Sequence, residues 1–179
     1  LGLQSMKMEE GDAKSAVEEG KSRVRAMAMI HQKLYKEEDL IGVDFHDYVN
    51  DLVNELKSTY YPNRAIDIQL NIPRESLDVD TTLPLGLMIN EMVSNAFKYA
   101  YADIDKPLLK VELIQQEMNG LKLIVADNGK GVAQGFDINQ VTSFGMKLIK
   151  MLSKQLSGEL KVINEKGLSY ELSFSNKKR

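Results

Sequence analysis

Residues 83–100 constrain the fold of this chain more than any other stretch. Leu85, Met88, Ile89, Met92, Val93, Ala96 and Phe97 recur at helical spacing and give a wide apolar face, which has to be packed on a sheet. Pro84 is expected in the first turn, where its missing N–H does no harm. On the opposite face Glu91, Asn95 and Lys98 fall at i, i+4 and i+7. A carboxylate, a carboxamide and an ammonium in one row suit a metal–phosphate ligand. The amide oxygen can serve a hard cation, the ammonium can neutralise phosphate, and the carboxylate can take a proton or hold a water. Alone, such a row is more often a solvated helix face. Two asparagines in one helix, Asn90 and Asn95, shift that balance only slightly, because Asn is a mediocre helix former.

The sheet is read from alternation and turns. Residues 65–72 alternate apolar and polar, residues 108–115 and 121–126 flank Asn119-Gly120, and residues 158–163 and 169–174 flank Glu165-Lys166-Gly167. Helical spacing returns at Phe45, Tyr48, Val49, Leu52, Val53 and Leu56, behind an Asp44 cap and with Asp47 in the first turn. It returns again over residues 145–156, through Met146, Ile149 and Leu152. Strands joined mostly by tight turns predict an α+β fold, with a mixed, largely antiparallel sheet and helices on one face. In front of it, residues 13–36 carry a narrow stripe of Val17, Val24, Met27, Ile30 and Leu34, as in the seam of a helix pair. Gly11-Asp12 reads as a turn, which would make residues 1–8 the end of a preceding helix.

Composition removes several functions. A net charge of -3 and a pI near 5.5 give no field favouring nucleic acid or an anionic membrane. With no cysteine there are no disulfides, zinc–thiolate sites or thiol nucleophiles. No apolar run approaches the roughly 20 residues of a membrane span, so no direct membrane contact is expected. The start, Leu1-Gly2-Leu3-Gln4, lacks an initiator Met and a signal-peptide pattern and is expected to be the cut end of a longer protein.

Two further segments carry chemistry. Residues 121–126 run apolar into Asp127-Asn128-Gly129-Lys130-Gly131. An Asp closing a buried strand can accept a hydrogen bond from an exocyclic amine, and glycines let backbone approach a ring plane. Asp-Asn-Gly is equally good hairpin-turn chemistry. Gly145, at the start of a helix, is a phosphate site or an ordinary loop-to-helix junction.

Together and in this order the three segments are specific. Asn90-Glu91-Met92-Val93-Ser94-Asn95-Ala96-Phe97-Lys98-Tyr99 resembles the N box of the GHKL (Bergerat-type) ATP-binding fold. Asp127-Asn128-Gly129-Lys130-Gly131 resembles its G1 box, and Phe144-Gly145-Met146-Lys147-Leu148 a reduced G2 box. The helix Arg23-Val24-Arg25-Ala26-Met27-Ala28-Met29-Ile30-His31-Gln32-Lys33-Leu34-Tyr35 is similar to the second dimerisation helix of sensor histidine kinases of the HWE-related class. So is Leu83-Pro84-Leu85-Gly86-Leu87-Met88-Ile89-Asn90-Glu91, which enters the N box.

The resemblance implies ATP and Mg²⁺ as ligands, with Asn95 on the metal, Lys98 on phosphate, Tyr99 along the nucleotide and Asp127 on the adenine amine. Gly129 and Gly131 would shape the adenine slot and Gly145 would adjoin the phosphates. Glu91 would act as a base or orient water. It also implies a division into residues 1–40, part of a helical dimerisation hairpin, and residues 41–179, the catalytic domain. A homodimer through the hairpin and a response-regulator receiver domain are the implied partners, in the cytoplasm, with the phosphoacceptor His upstream of this sequence. His31 and His46 are read as structural and surface residues.

Two departures stand out. The lid, residues 132–144, is short and its G2 box keeps one glycine, and Gly167-Leu168 stands where the family has Gly-Thr. The alternatives are a serine/threonine kinase or ATPase of the same fold, such as an anti-sigma factor, and a non-catalytic pseudokinase docking module. The helix around residues 23–35 speaks against the first, and intact Glu91, Asn95, Lys98 and Asp127 against the second.

Overall fold

Two aspartates start two of the helices that build the core. In the computed structural model, which describes residues 2–36, 43–74, 76–132 and 143–175, Asp44 caps α2 (Phe45–Tyr60) by accepting the Asp47 N–H at 3.0 Å. Asp78 caps α3 (Val79–Asn95), accepting the Thr81 N–H at 2.8 Å. The α3 start therefore lies four residues before the expected one, and Pro84 sits beyond the first turn. Its missing N–H leaves the Asp80 carbonyl without its i→i−4 partner, a defect that falls at the exposed end of the helix. At the other end α3 runs into a π-helical turn, Ala96–Ala100, rather than remaining α-helical to residue 100.

The helix in front also differs from expectation. α1 runs unbroken from Gly2 to Lys36, so residues 2–8 are not the end of a separate helix and Gly11-Asp12 is not a turn. One glycine inside a helix costs about 1 kcal/mol against Ala, too little to break a long helix that holds no proline. The packed face of α1 is the line Ser22, Ala26, Ile30, while Val17, Val24 and Met27 of the expected seam are exposed. Leu34 and the lid residues 133–142 lie outside the residues whose side chains are described, as does the Lys177-Lys178-Arg179 end.

The sheet follows the expected class. Its order is β2 (Asp67–Asn71), β4 (Leu108–Gln116), β5 (Gly120–Asp127), β7 (Leu168–Ser175), β6 (Glu159–Asn164). Only β2 and β4 are parallel. A short antiparallel pair, β1 (Val43–Asp44) with β3 (Ser76–Leu77), joins the starts of α2 and α3. Register sets one apolar face: Val111, Val125 and Tyr170 lie in one row and Leu113, Leu123 and Leu172 in the next, all buried. α2, α3 and α4 (Phe144–Gln155) supply the other half of this core. On the opposite face Lys122 pairs with Glu171 at 2.7 Å, the outward half of the same alternation.

Two features fix the helix that carries Asn95. Gly86 brings α3 against α2, since a Cβ there would lie 2.7 Å from Tyr48 Cε1. Tyr61, Phe97 and Tyr101 form an aromatic cluster with centroids 5.6–6.4 Å apart, and Tyr101 donates its hydroxyl to the Leu108 carbonyl at 3.0 Å. This ties the end of the π turn to the start of β4.

Candidate nucleotide site

A cleft of about 300 Å³ opens between the end of α3, the loop after β5 and the start of α4. Asp127 stands at its inner end, where β5 stops. Its Oδ1 accepts two backbone N–H groups, from Gly129 at 2.8 Å and Leu168 at 3.3 Å. Among the described residues Oδ2 has no partner, which leaves it as the acceptor for a ligand. Burial pushes this carboxyl above its ordinary range, and the two N–H donors only partly oppose that. Burial and the nearby Asp127 charge together push the Tyr170 phenol beside it up to about 12.

The loop after Asp127 is held by two asparagine amides. Asn128 accepts from the Leu108 N–H and donates to the Lys106 carbonyl, both at 2.8 Å. Asn164 accepts from the Val132 N–H at 3.0 Å and donates to its carbonyl at 2.8 Å. Between them, a Cβ on Gly129 would lie 2.5 Å from both Ala100 Cβ and its carbonyl oxygen. Gly131 takes φ +64°, the left-handed region where glycine is favoured. The loop therefore needs Gly129 to approach the end of the π turn at Ala100, and Gly131 to sit against Asn164.

The other end of the cleft is charged. Glu91, 4% exposed, is gripped by Arg23 of α1, with Nε to Oε1 at 2.7 Å and the second guanidinium nitrogen to Oε2 at 2.9 Å. Asn90 adds a donor to Oε1 at 3.2 Å and is itself held by Ser22 at 2.8 Å. Hydrogen bonding to Glu91 is the main reason that the Arg23 guanidinium titrates above its usual range. Gly145 packs on the same carboxylate, because a Cβ there would fall 2.5 Å from Glu91 Oε2. Lys98 turns the other way. Its ammonium binds Glu19 of α1 at 2.9 Å and lies 4.6 Å over the Tyr60 ring.

Of the residues singled out from sequence, Glu91, Asn95, Tyr99, Asp127, Gly131 and Gly145 line the cleft. Lys98 and Gly129 are not among the residues that line it. Neither histidine lines it: His31 is an exposed residue of α1, and His46 Nδ1 lies 3.2 Å from Asp47 Oδ1 in the first turn of α2. Sequence reasoning missed Glu19, Arg23 and Asn164. Glu19 and Arg23 form a visible i,i+4 pair on α1, but nothing local says that the pair faces Glu91 and Lys98.

Comparison with known proteins shows what the chain is similar to. Residues 1–60 match the family model described as histidine kinase. The sensor histidine kinase PdtaS of Mycobacterium tuberculosis is 26% identical over 166 residues, 89% of this chain and 32% of that protein. The chain is thus similar to sensor histidine kinases, over its first 60 residues by the family model and over most of its length to PdtaS. It spans about a third of the length of the curated relatives that it matches. The histidine kinase domain from the Erythrobacter litoralis blue-light activated histidine kinase shares the fold, with TM-score 0.78 at 18% identity over 87% of this chain and 74% of that one. Full-length ShkA in complex with AMPPNP gives TM-score 0.59 at 20% identity, covering 74% and 30%. The family match takes in α1 and α2 and stops short of the cleft, so the site stands on its own geometry. Among the described residues, no helix is long and apolar enough to cross a membrane.

The raised Asp127 carboxyl gives a pH signature. In the unfolded chain Asp titrates near its ordinary value, about 3.9. Because the folded value is higher, its stabilising contribution is complete below the unfolded value and is lost as pH rises through the folded one. Urea unfolding of wild type and Asp127→Asn is therefore expected to diverge as pH rises just above the usual carboxylate range. Wild type should lose stability relative to the variant. Parallel curves across that range would contradict the assignment.

Proposed function

We propose that the cleft binds ATP with Mg²⁺, and that the chain is the catalytic portion of a two-component sensor kinase. It would pass the γ-phosphoryl to a histidine on a preceding segment and from there to a response-regulator Asp. The observation that carries the reading is the Asp127 carboxylate, with one oxygen held by backbone and the other left for an exocyclic amine. Apolar walls from Met92, Ala96, Ala100 and Leu168 suit a purine ring beside it. ShkA, a fold neighbour, is described as a complex with AMPPNP.

Asn95 lines the same cleft and its side chain has no partner among the described residues, so its amide oxygen fits a Mg²⁺ ligand. The metal would neutralise phosphate charge there, with water and phosphate oxygens completing its shell. Glu91, gripped by Arg23, would orient water or take a proton once that grip is released. In phosphoryl transfer positioning and charge neutralisation do most of the work, which gives Asn95 and Lys98 the larger roles. Residues 1–40 would form part of a pairing hairpin, with exposed Val17, Val24 and Met27 available to a second helix. The implied setting is a cytoplasmic homodimer that meets a receiver domain.

Asn95→Ala tests the reading. Calorimetry should show wild type binding ATP more tightly with Mg²⁺ than without, and the variant losing that difference, about tenfold. ATP binding that ignores Mg²⁺ in wild type would remove the metal assignment. No ATP binding at all would favour the docking-module reading, which draws its support from Lys98 being engaged by Glu19.

A further inference from the structure

α1 reaches into the phosphate end of the cleft. Glu19 is part of its wall, together with Glu91 and Asp127, and among the described residues Lys130 is the only cation on that wall. Such a lining opposes a polyanion. Arg23 already compensates Glu91 through two short bonds, and Asp127 lies at the adenine end. Glu19 is therefore the carboxylate that decides the phosphate end. Its Oε1 takes the Lys98 ammonium at 2.9 Å and its Oε2 lies 3.4 Å from the Arg23 guanidinium. Burial pushes the Glu19 carboxyl up, but Lys98 and Arg23 outweigh this and hold it below the usual carboxylate range, so it is ionised at neutral pH.

We propose that Glu19 acts as a stand-in for phosphate, so that α1 docking and triphosphate binding compete for Lys98. This rests on the ATP-site reading above. A carboxylate on Lys98 satisfies the ammonium that would otherwise meet a phosphate oxygen, and it also repels that phosphate. The Glu19 side chain is 30% exposed, so it has a path into solvent while Ser22 and Arg23 keep α1 on the N-box helix. Coupling of this kind is reciprocal. A triphosphate that takes Lys98 loosens the Glu19 end of α1, the helix that leads away from the catalytic domain, and this carries the state of the nucleotide site into α1.

The test uses Glu19→Gln, a neutral isostere at a half-exposed position, in the full chain. Calorimetry with AMPPNP and Mg²⁺, and separately with adenosine, should show triphosphate affinity rising about tenfold in the variant, the scale of one charge-assisted bond. Adenosine affinity should not move. Glu18→Gln removes the same charge from an exposed neighbour paired with Lys21 and should stay within about twofold, because salt screens it. Amide exchange over residues 17–24 should rise when wild type binds the triphosphate and not when it binds adenosine. Triphosphate affinity that is unchanged or lower in Glu19→Gln overturns the competition. A wild type that binds adenosine no better than Asp127→Asn does overturns the adenine site itself, a separate failure.

Discussion

Asp127→Asn is expected to weaken adenosine and ATP binding about 100-fold, the upper range for one charge-assisted hydrogen bond. Asparagine can keep its oxygen in the Oδ1 position, where it still accepts from Gly129 and Leu168. The loop geometry therefore survives. The change falls on the second position, where an acceptor becomes an NH₂ donor facing the donor amine of adenine. The same variant should be at least as stable as wild type near neutral pH, because the fold raises the carboxyl and so disfavours its charge. Weaker binding without lost stability separates a ligand role from a structural one. Nucleotide affinity within about threefold of wild type, by calorimetry, would place adenine elsewhere.

Arg23→Met is expected to cost about 3 kcal/mol in urea unfolding, the scale for removing one partner of a buried ion pair. Methionine keeps much of the stem volume but leaves Glu91 with the single Asn90 donor. The arginine also lies 4.6 Å over the Phe144 ring, so part of any loss comes from packing. A double-mutant cycle removes that part. In a Glu91→Gln background the same Arg23→Met change should cost about 1 kcal/mol or less, since no buried charge is left behind. Equal losses in the two backgrounds would mean that the pair is not coupled and that α1 is held on the N-box helix by other contacts.

What could be read from the sequence had local causes. The Asp44 cap and the stripe from Phe45 to Leu56 fix α2 without reference to anything distant, and all six stripe residues are buried. Strand alternation around Asn119-Gly120 gave β4 and β5, because period two and a turn residue that tolerates positive φ lie within a few positions of each other. The cleft was legible for a related reason, since each box is a short contiguous segment. What escaped was long-range or depended on a choice between two local solutions. Pro84 and the apolar spacing point to a later α3 start, but the structure starts the helix at the Asp78 cap, and the orphan carbonyl behind Pro84 can face water. α1 shows two apolar lines, and the inward one is selected by long-range contacts such as its ion pairs to Glu91 and Lys98, 68 and 79 residues away, and the Ser22–Asn90 bond. The Glu19 pair also holds the Lys98 side chain mostly buried against α1, where a helical wheel puts it in solvent.

Leu168 stands where the resembled family has a hydroxyl residue, yet Asp127 has a donor there, because that donor is the Leu168 backbone N–H. The anchor is thus inherited with strand pairing, in which Asp127 follows Ala126 opposite Ser169, and not with any side chain. The identity of residue 168 is free to drift and to tune which ring fits the pocket, while the carboxylate stays aimed. What the site cannot tolerate is a one-residue slip between β5 and β7, which would reverse every side chain on β7 and remove the donor in the same step.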